Sequence, residues 1–87
     1  MVADDEVPDD DALPTPAAGE VYEALALIAD AARDGDAAVL ATVLGRRGSS
    51  PGTPGQKLAL RADGRCVGTV GGGSLERRVL RAMVALL

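Results

Sequence analysis

The chain has 87 residues, 47% of them hydrophobic, yet Tyr22 is its only aromatic residue, and it carries no histidine and a single cysteine. One small domain fits that length, with a core drawn from Val, Leu, Ile, Ala and Met. The missing histidines exclude Ser-His-Asp and Cys-His catalysis and His-rich zinc sites, and one cysteine excludes an intramolecular disulfide. The net charge of −4 hides a segregation: residues 1–20 hold seven of the 13 acids and no base, so the remaining 67 residues hold six acids and all nine bases, a net of +3. Small domains bury a limited share of their surface, so self-association or docking on a partner is expected. An acidic N-terminus without a cationic n-region, and no apolar run near 18 residues, predict neither a signal peptide nor a membrane span. The cytoplasm is the expected compartment.

In chain order, residues 1–18 combine Asp runs with Pro8, Pro14 and Pro16 and read as a disordered acidic tail. It either solvates the chain or loosely covers a basic site. The domain proper is expected over residues 19–87. A helix is predicted over residues 20–34, where Val21, Leu25, Ile28 and Ala32 recur along one face, and Gly35 supplies its stop. Tyr22 flanks that face as a packing residue with an exposed hydroxyl. Residues 37–44 form a nearly continuous apolar run, which predicts a central strand covered on both faces.

Residues 45–56 then hold four glycines, two prolines and three hydroxyls. A connection that long without structure of its own is unusual in a small domain. It is either a surface connector or a site in which Arg46 and Arg47 offer guanidinium forks and Ser49, Ser50 and Thr53 offer hydroxyls. No histidine activates either serine, so a serine nucleophile is rejected. Two strands follow, over residues 57–62 and 65–70, joined at Asp63-Gly64 by an expected two-residue type I′ turn. Cys66 reads as a small core residue on the second strand.

The stretch Gly68-Thr69-Val70-Gly71-Gly72-Gly73-Ser74-Leu75-Glu76 joins strand to helix through three successive glycines. Such a turn is either a tight corner or a concavity of backbone N–H groups that receives an anion, helped by the helix dipole. Ser74 is the expected N-cap of a helix starting near Leu75. On a wheel of 100° per residue, Arg77, Arg81 and Arg78 lie at about 0° to 100° and the apolar set from Leu75 to Leu87 at about 160° to 340°. Glu76 falls near 260°, within the apolar arc. Its carboxylate either satisfies free N–H groups of the turn or accepts from a ligand. Leu80, Met83, Val84 and Leu87, at the far edge of that arc, are expected to lack a partner inside so small a domain and to mark an interface.

The dinucleotide fingerprint fails here, because Glu76 stands where Gly or Ala is needed and no second strand follows. Gly-Lys-Ser/Thr is absent, which rejects a P-loop, and a small basic excess without stacking aromatics gives no support for nucleic-acid binding. Two motifs resemble the XdhC/CoxI family, accessory proteins for xanthine dehydrogenase, and specifically its N-terminal domain. One runs from Ala41-Thr42-Val43 into Gly48-Ser49-Ser50-Pro51 and Pro54-Gly55-Gln56-Lys57; the other is Asp63-Gly64 followed by Gly68-Thr69-Val70-Gly71-Gly72-Gly73 and Glu76. The resemblance spans about residues 21–87.

It implies that the molybdenum cofactor, in its molybdopterin form, is bound as cargo, protected while a terminal sulfur is installed, and delivered to a xanthine dehydrogenase-type molybdenum hydroxylase, with a cysteine desulfurase as a further candidate partner. Carried over by position, the implied cofactor-binding residues are Arg47, Gly48, Ser49, Ser50, Pro51, Gly55, Gln56, Lys57, Gly71, Gly72, Gly73, Ser74 and Glu76. Glu76 would accept from pterin N–H groups. No catalytic residue and no metal ligand is assigned. Family members commonly carry Arg where this chain has Gly52 and, on the CoxI side, Cys where it has Ser74. Full-length relatives continue into a Rossmann-like domain, so the chain reads as a stand-alone half or a truncated product. The combined expectation is a small α/β (α+β) domain in the order α-β-β-β-α that acts as a cofactor carrier. The alternative is a module that only dimerises, or docks on a separate Rossmann-domain chain.

Overall fold

The computed structural model describes residues 12–45 and 52–87. Its elements are α1 (Val21–Asp34), β1 (Ala38–Thr42), β2 (Lys57–Arg61), β3 (Cys66–Gly68) and α2 (Gly73–Leu86), which is the expected α-β-β-β-α order. The strands form one antiparallel sheet in the order β1-β2-β3. Alternation along β2 sends Leu58 and Leu60 to one face and Ala59 to the other. Leu58, Leu60, Cys66 and Val70 pack with Leu80 and Met83 of α2, while Ala59 packs with Ala24 and Leu27 of α1. The helices therefore cover opposite faces of the sheet.

The central strand is β2, not the apolar run expected to be central. In β2 four of five residues are buried, whereas in β1 none is: four are half-buried and Leu40 is exposed. Continuous apolarity in residues 37–44 marked contact with both helices and said nothing about lateral neighbours. The buried face of α1 is also turned from the expected stripe. Ala24, Leu27 and Ala31 meet the sheet, leaving Val21 and Leu25 exposed and Ile28 half-buried. Small alanines let the helix lie close over β2, a choice that a hydrophobicity pattern does not register.

Local signals placed the boundaries better. Gly35 ends α1 in the left-handed conformation (φ 71°), where its N–H donates to Ala32 O at 3.2 Å and that of Asp36 to Ala31 O at 2.9 Å. The hairpin forms at Asp63-Gly64, but not as a type I′ turn. Gly64 N–H donates to Arg61 O and Arg61 N–H to Arg65 O, and no non-glycine residue among those described has positive φ. Ala62, Asp63 and Gly64 thus make a three-residue loop, with Gly64 alone (φ 97°) supplying the left-handed residue. Arg61, only 6% exposed, fixes this corner by donating from Nη2 to Asp34 (2.9 Å) and from Nε to Asp36 (2.8 Å), with Asp63 3.3 Å away.

Residues 12–18, assigned by the sequence to the acidic tail, contact the domain. Leu13 packs on the α2-side core, and Ala17 bridges Val67 in parallel, donating to Cys66 O (2.9 Å) and accepting from Gly68 N–H (3.0 Å). The outer edge of β3 is thereby covered. The rest of the expected tail, residues 1–11, lies outside the described residues. No described helix is long and apolar enough to cross a membrane.

Candidate functional site

Gly68 closes β3 at φ +103°, and a Cβ there would stand 2.1 Å from the Lys57 carbonyl oxygen. Only glycine lets the strand pass so close before turning into Thr69. Gly71, Gly72 and Gly73 then follow with φ of 121°, 76° and 64°. Three successive positive values reverse the chain into α2 within one turn. The helix begins at Gly73 with Gly72 as its N-cap, two residues ahead of the expected start, and Ser74 is an exposed residue of its first turn.

Glu76 does the work expected of a cap. Its Oε1 accepts from Thr69 Oγ1 (2.5 Å), Val70 N–H (3.0 Å) and Gly72 N–H (3.2 Å), while Thr69 Oγ1 in turn accepts from Gly71 N–H (3.0 Å). Of the two roles open to this carboxylate in the sequence, holding the turn is the one these bonds describe. The sequence reading assigns Thr69 no role of its own. Its signal was available, since a hydroxyl two residues before a glycine forms a turn of this kind.

These bonds also narrow the expected row of donors. The N–H groups of Gly71 and Gly72 are spent inside the turn. The first helical bond runs from Glu76 N–H to Gly72 O at 3.4 Å, so the N–H groups of Gly73, Ser74 and Leu75 stand outside the helix ladder, as the first donors of any helix do. Beside them a groove of about 300 Å³ runs between β1 and α2, lined by residues that include Val43, Gly45, Gly52, Val70, Leu75 and Val79. Both glycine-rich segments contribute to it. A Cβ on Gly52 would sit 2.8 Å from Val70 O and 3.1 Å from Val43 Cγ2. Gly52 is thus a buried packing contact between the two loops.

The other expected residues are distributed unevenly. Arg47, Gly48, Ser49, Ser50 and Pro51 lie outside the described residues. Gly55 donates its N–H to Val43 O (2.8 Å), and Gln56 Oε1 accepts from Thr53 N–H (2.7 Å), so both shape the return of the loop into β2. Lys57 reaches Thr42 Oγ1 at 3.3 Å. By alternation its side chain lies on the α1 face, away from Val43 and Val70, which pack on the α2 side. The structure therefore does not bring Lys57 to the donors of α2.

Cys66 is buried in the core, and burial, aided by the negative charge of Glu76, pushes its thiol up to about 11. A thiol held protonated is a poor nucleophile at neutral pH, in keeping with the packing role read from the sequence. The expected interface residues Leu80 and Met83 of α2 are buried against Leu58 and Leu60, and Val84 packs on the same cluster; Leu86 and Leu87 remain exposed. Arg77, Arg78 and Arg81 face solvent, as the wheel required.

Among comparisons with known proteins, the family model described as "XdhC and CoxI family" matches residues 31–87. No curated protein and no solved structure matches the chain.

Proposed function

The chain belongs to the XdhC and CoxI family, and from that premise we propose that it is a non-catalytic carrier of the molybdenum cofactor. It serves the maturation of a xanthine dehydrogenase-type molybdenum hydroxylase. The cofactor is cargo here, bound through its molybdopterin part and released to the apo-hydroxylase. The observation that carries the reading is the start of α2. Three positive-φ glycines aim the N–H groups of Gly73, Ser74 and Leu75 outward at the positive end of a 14-residue helix, beside a groove lined from both family motifs.

The donor set fits an anionic group with several acceptor oxygens. Backbone N–H groups at a helix N-terminus suit the phosphate of the pterin side chain. The apolar walls from Val43, Val70, Leu75 and Val79 suit the flat ring beside it. Glu76 acts indirectly, because its Oε1 holds the turn that presents these donors, and Gly52 keeps the two loops in contact. Arg47, Ser49 and Ser50 remain the proposed contributors from the long loop. When bound, the group supplies the metal and dithiolene chemistry of the client enzyme. The chain itself binds, orients and shields.

The test is retention of pterin. Purified chain incubated with molybdopterin and passed through a desalting column should keep stoichiometric pterin, read by fluorescence after oxidation. Gly72→Val should lose most of it, because valine is strained at φ 76°, whereas the space around that Cβ is open and the core is untouched. A parent chain that retains no pterin, or a folded valine variant that retains as much as the parent, refutes the proposal.

A further inference from the structure

We propose that the outer edge of β1, with the exposed flank of α1 above it, is the interface of a two-fold homodimer whose sheet runs continuously through six strands. In β1, the N–H of Val43 bonds Gln56 O and the carbonyl of Ala37 accepts from Ala62 N–H, on either side of the strand proper. In an antiparallel ladder such bonds recur at every second residue. The odd-numbered residues therefore bond inward to β2. Ala38, Leu40 and Thr42 present their N–H and C=O groups outward, and no described strand pairs with them. The β3 edge, in contrast, is covered by Ala17.

Edge strands are usually protected by charge, proline, a bulge or brevity. Ala-Val-Leu-Ala-Thr has no charge and no proline. Its outward residues are arranged evenly about Leu40. A two-fold axis at Leu40 pairs Leu40 with its copy, and Ala38 with Thr42 of the copy at both ends, so all three outward residues are satisfied by about six hydrogen bonds. The partner is therefore a second copy of this chain.

The side chains agree with that register. Leu40, opposite Ala59, lies on the α1 face and is 37% exposed. On α1, one flank of the buried stripe (Ala26, Asp30) lines a groove with Val67 and Arg65 on the β3 side. Successive residues turn by about 100°, which sets Val21, Leu25, Ile28 and Ala32 on the opposite flank, toward β1. Val21 is 40% and Leu25 44% exposed. This flank is the apolar stripe legible in the sequence but left outside the core. An axis through Leu40 places the two α1 helices on the same face of the joined sheet, each stripe toward its copy.

Charges match as well. Lys57 reaches Thr42 at one end of β1, while Asp34 and Asp36, sharing the single Arg61, lie at the Ala38 end. Antiparallel pairing brings the Lys57 end of each copy to the Asp36 end of the other.

Sedimentation equilibrium of the full chain at tens of micromolar should show a dimer. Leu40→Pro removes an N–H that serves no internal bond, and Leu40→Lys places a charge on the axis. Each should weaken association by at least about a hundredfold while preserving the far-UV spectrum. As a check that does not depend on those variants, the Leu40 side chains of the two copies should stand about 5.5 Å apart. A short bismaleimide should therefore cross-link Leu40→Cys into a covalent dimer and leave Leu86→Cys, on α2, largely monomeric. A monomeric parent, a dimer that survives both Leu40 variants, or cross-linking through position 86 instead of 40 overturns the proposal.

Discussion

Replacing Glu76 separates a carboxylate that holds the turn from one that touches only a ligand. In Glu76→Ala, three donors lose their acceptor at once: Thr69 Oγ1, Val70 N–H and Gly72 N–H. They are not equally costly. The Thr69 hydroxyl can rotate toward water and the half-exposed Gly72 can hydrate, so each loses about 0.5–1 kcal/mol. Val70 is 4% exposed, and its stranded amide costs about 1–3 kcal/mol. Loss of a negative charge from the first turn of α2 adds about 0.3–1 kcal/mol. The expected total is about 2–6 kcal/mol, a large part of the roughly 4–13 kcal/mol available to a chain this size. Glu76→Gln keeps one carbonyl oxygen as acceptor and loses the charge, so it should cost about 1–2 kcal/mol. Urea unfolding curves give both numbers from the midpoint shift, and hydrogen exchange at the Val70 and Gly72 amides should accelerate in the same order. If Glu76→Ala stays within about 0.5 kcal/mol of the parent while pterin retention is lost, the carboxylate serves the ligand and the reasoning from these bonds is wrong.

Gly68→Ala should be severely destabilising, because its Cβ would lie 2.1 Å from Lys57 O at a positive φ; a loss of at least about 3 kcal/mol in the same urea assay is expected, and a near-parental midpoint would contradict it. Cys66 has a folded-state thiol raised from 9.0 to about 11, so the protonated form is favoured by folding. Its contribution to stability is complete below pH 9 and is lost as pH rises towards 11; Cys66→Ala should flatten the alkaline side of the melting curve between those values. Arg61→Ala leaves Asp34, Asp36 and Asp63 together without their shared cation and should lower the melting temperature. Part of that loss should return as acid protonates the carboxylates, and a parental melting temperature at neutral pH would refute the role given to the corner.

The candidate site was legible where chemistry is local. Glycine runs, a hydroxyl before them and a carboxylate after them are read within nine residues, and they located the turn that opens α2. The partner of each group was not legible. Nothing in the composition says that Oε1 of Glu76 would be taken by Thr69, Val70 and Gly72, or that Gly52 would be pressed against Val70 from a loop 18 positions away in the chain.

By itself the sequence determined the α-β-β-β-α order, the stop at Gly35 and the hairpin at Asp63-Gly64. Each of these depends on backbone preferences within a few residues, and those preferences act whatever the rest of the chain does. Only the tertiary structure decided that β2 is central, that α1 buries Ala24, Leu27 and Ala31 in place of its larger apolar stripe, and that Leu80 and Met83 of α2 are core. Lateral strand order and helix rotation are set by how closely surfaces distant in sequence can approach. Small side chains over β2 win that competition through packing density, and no periodicity along the chain records it.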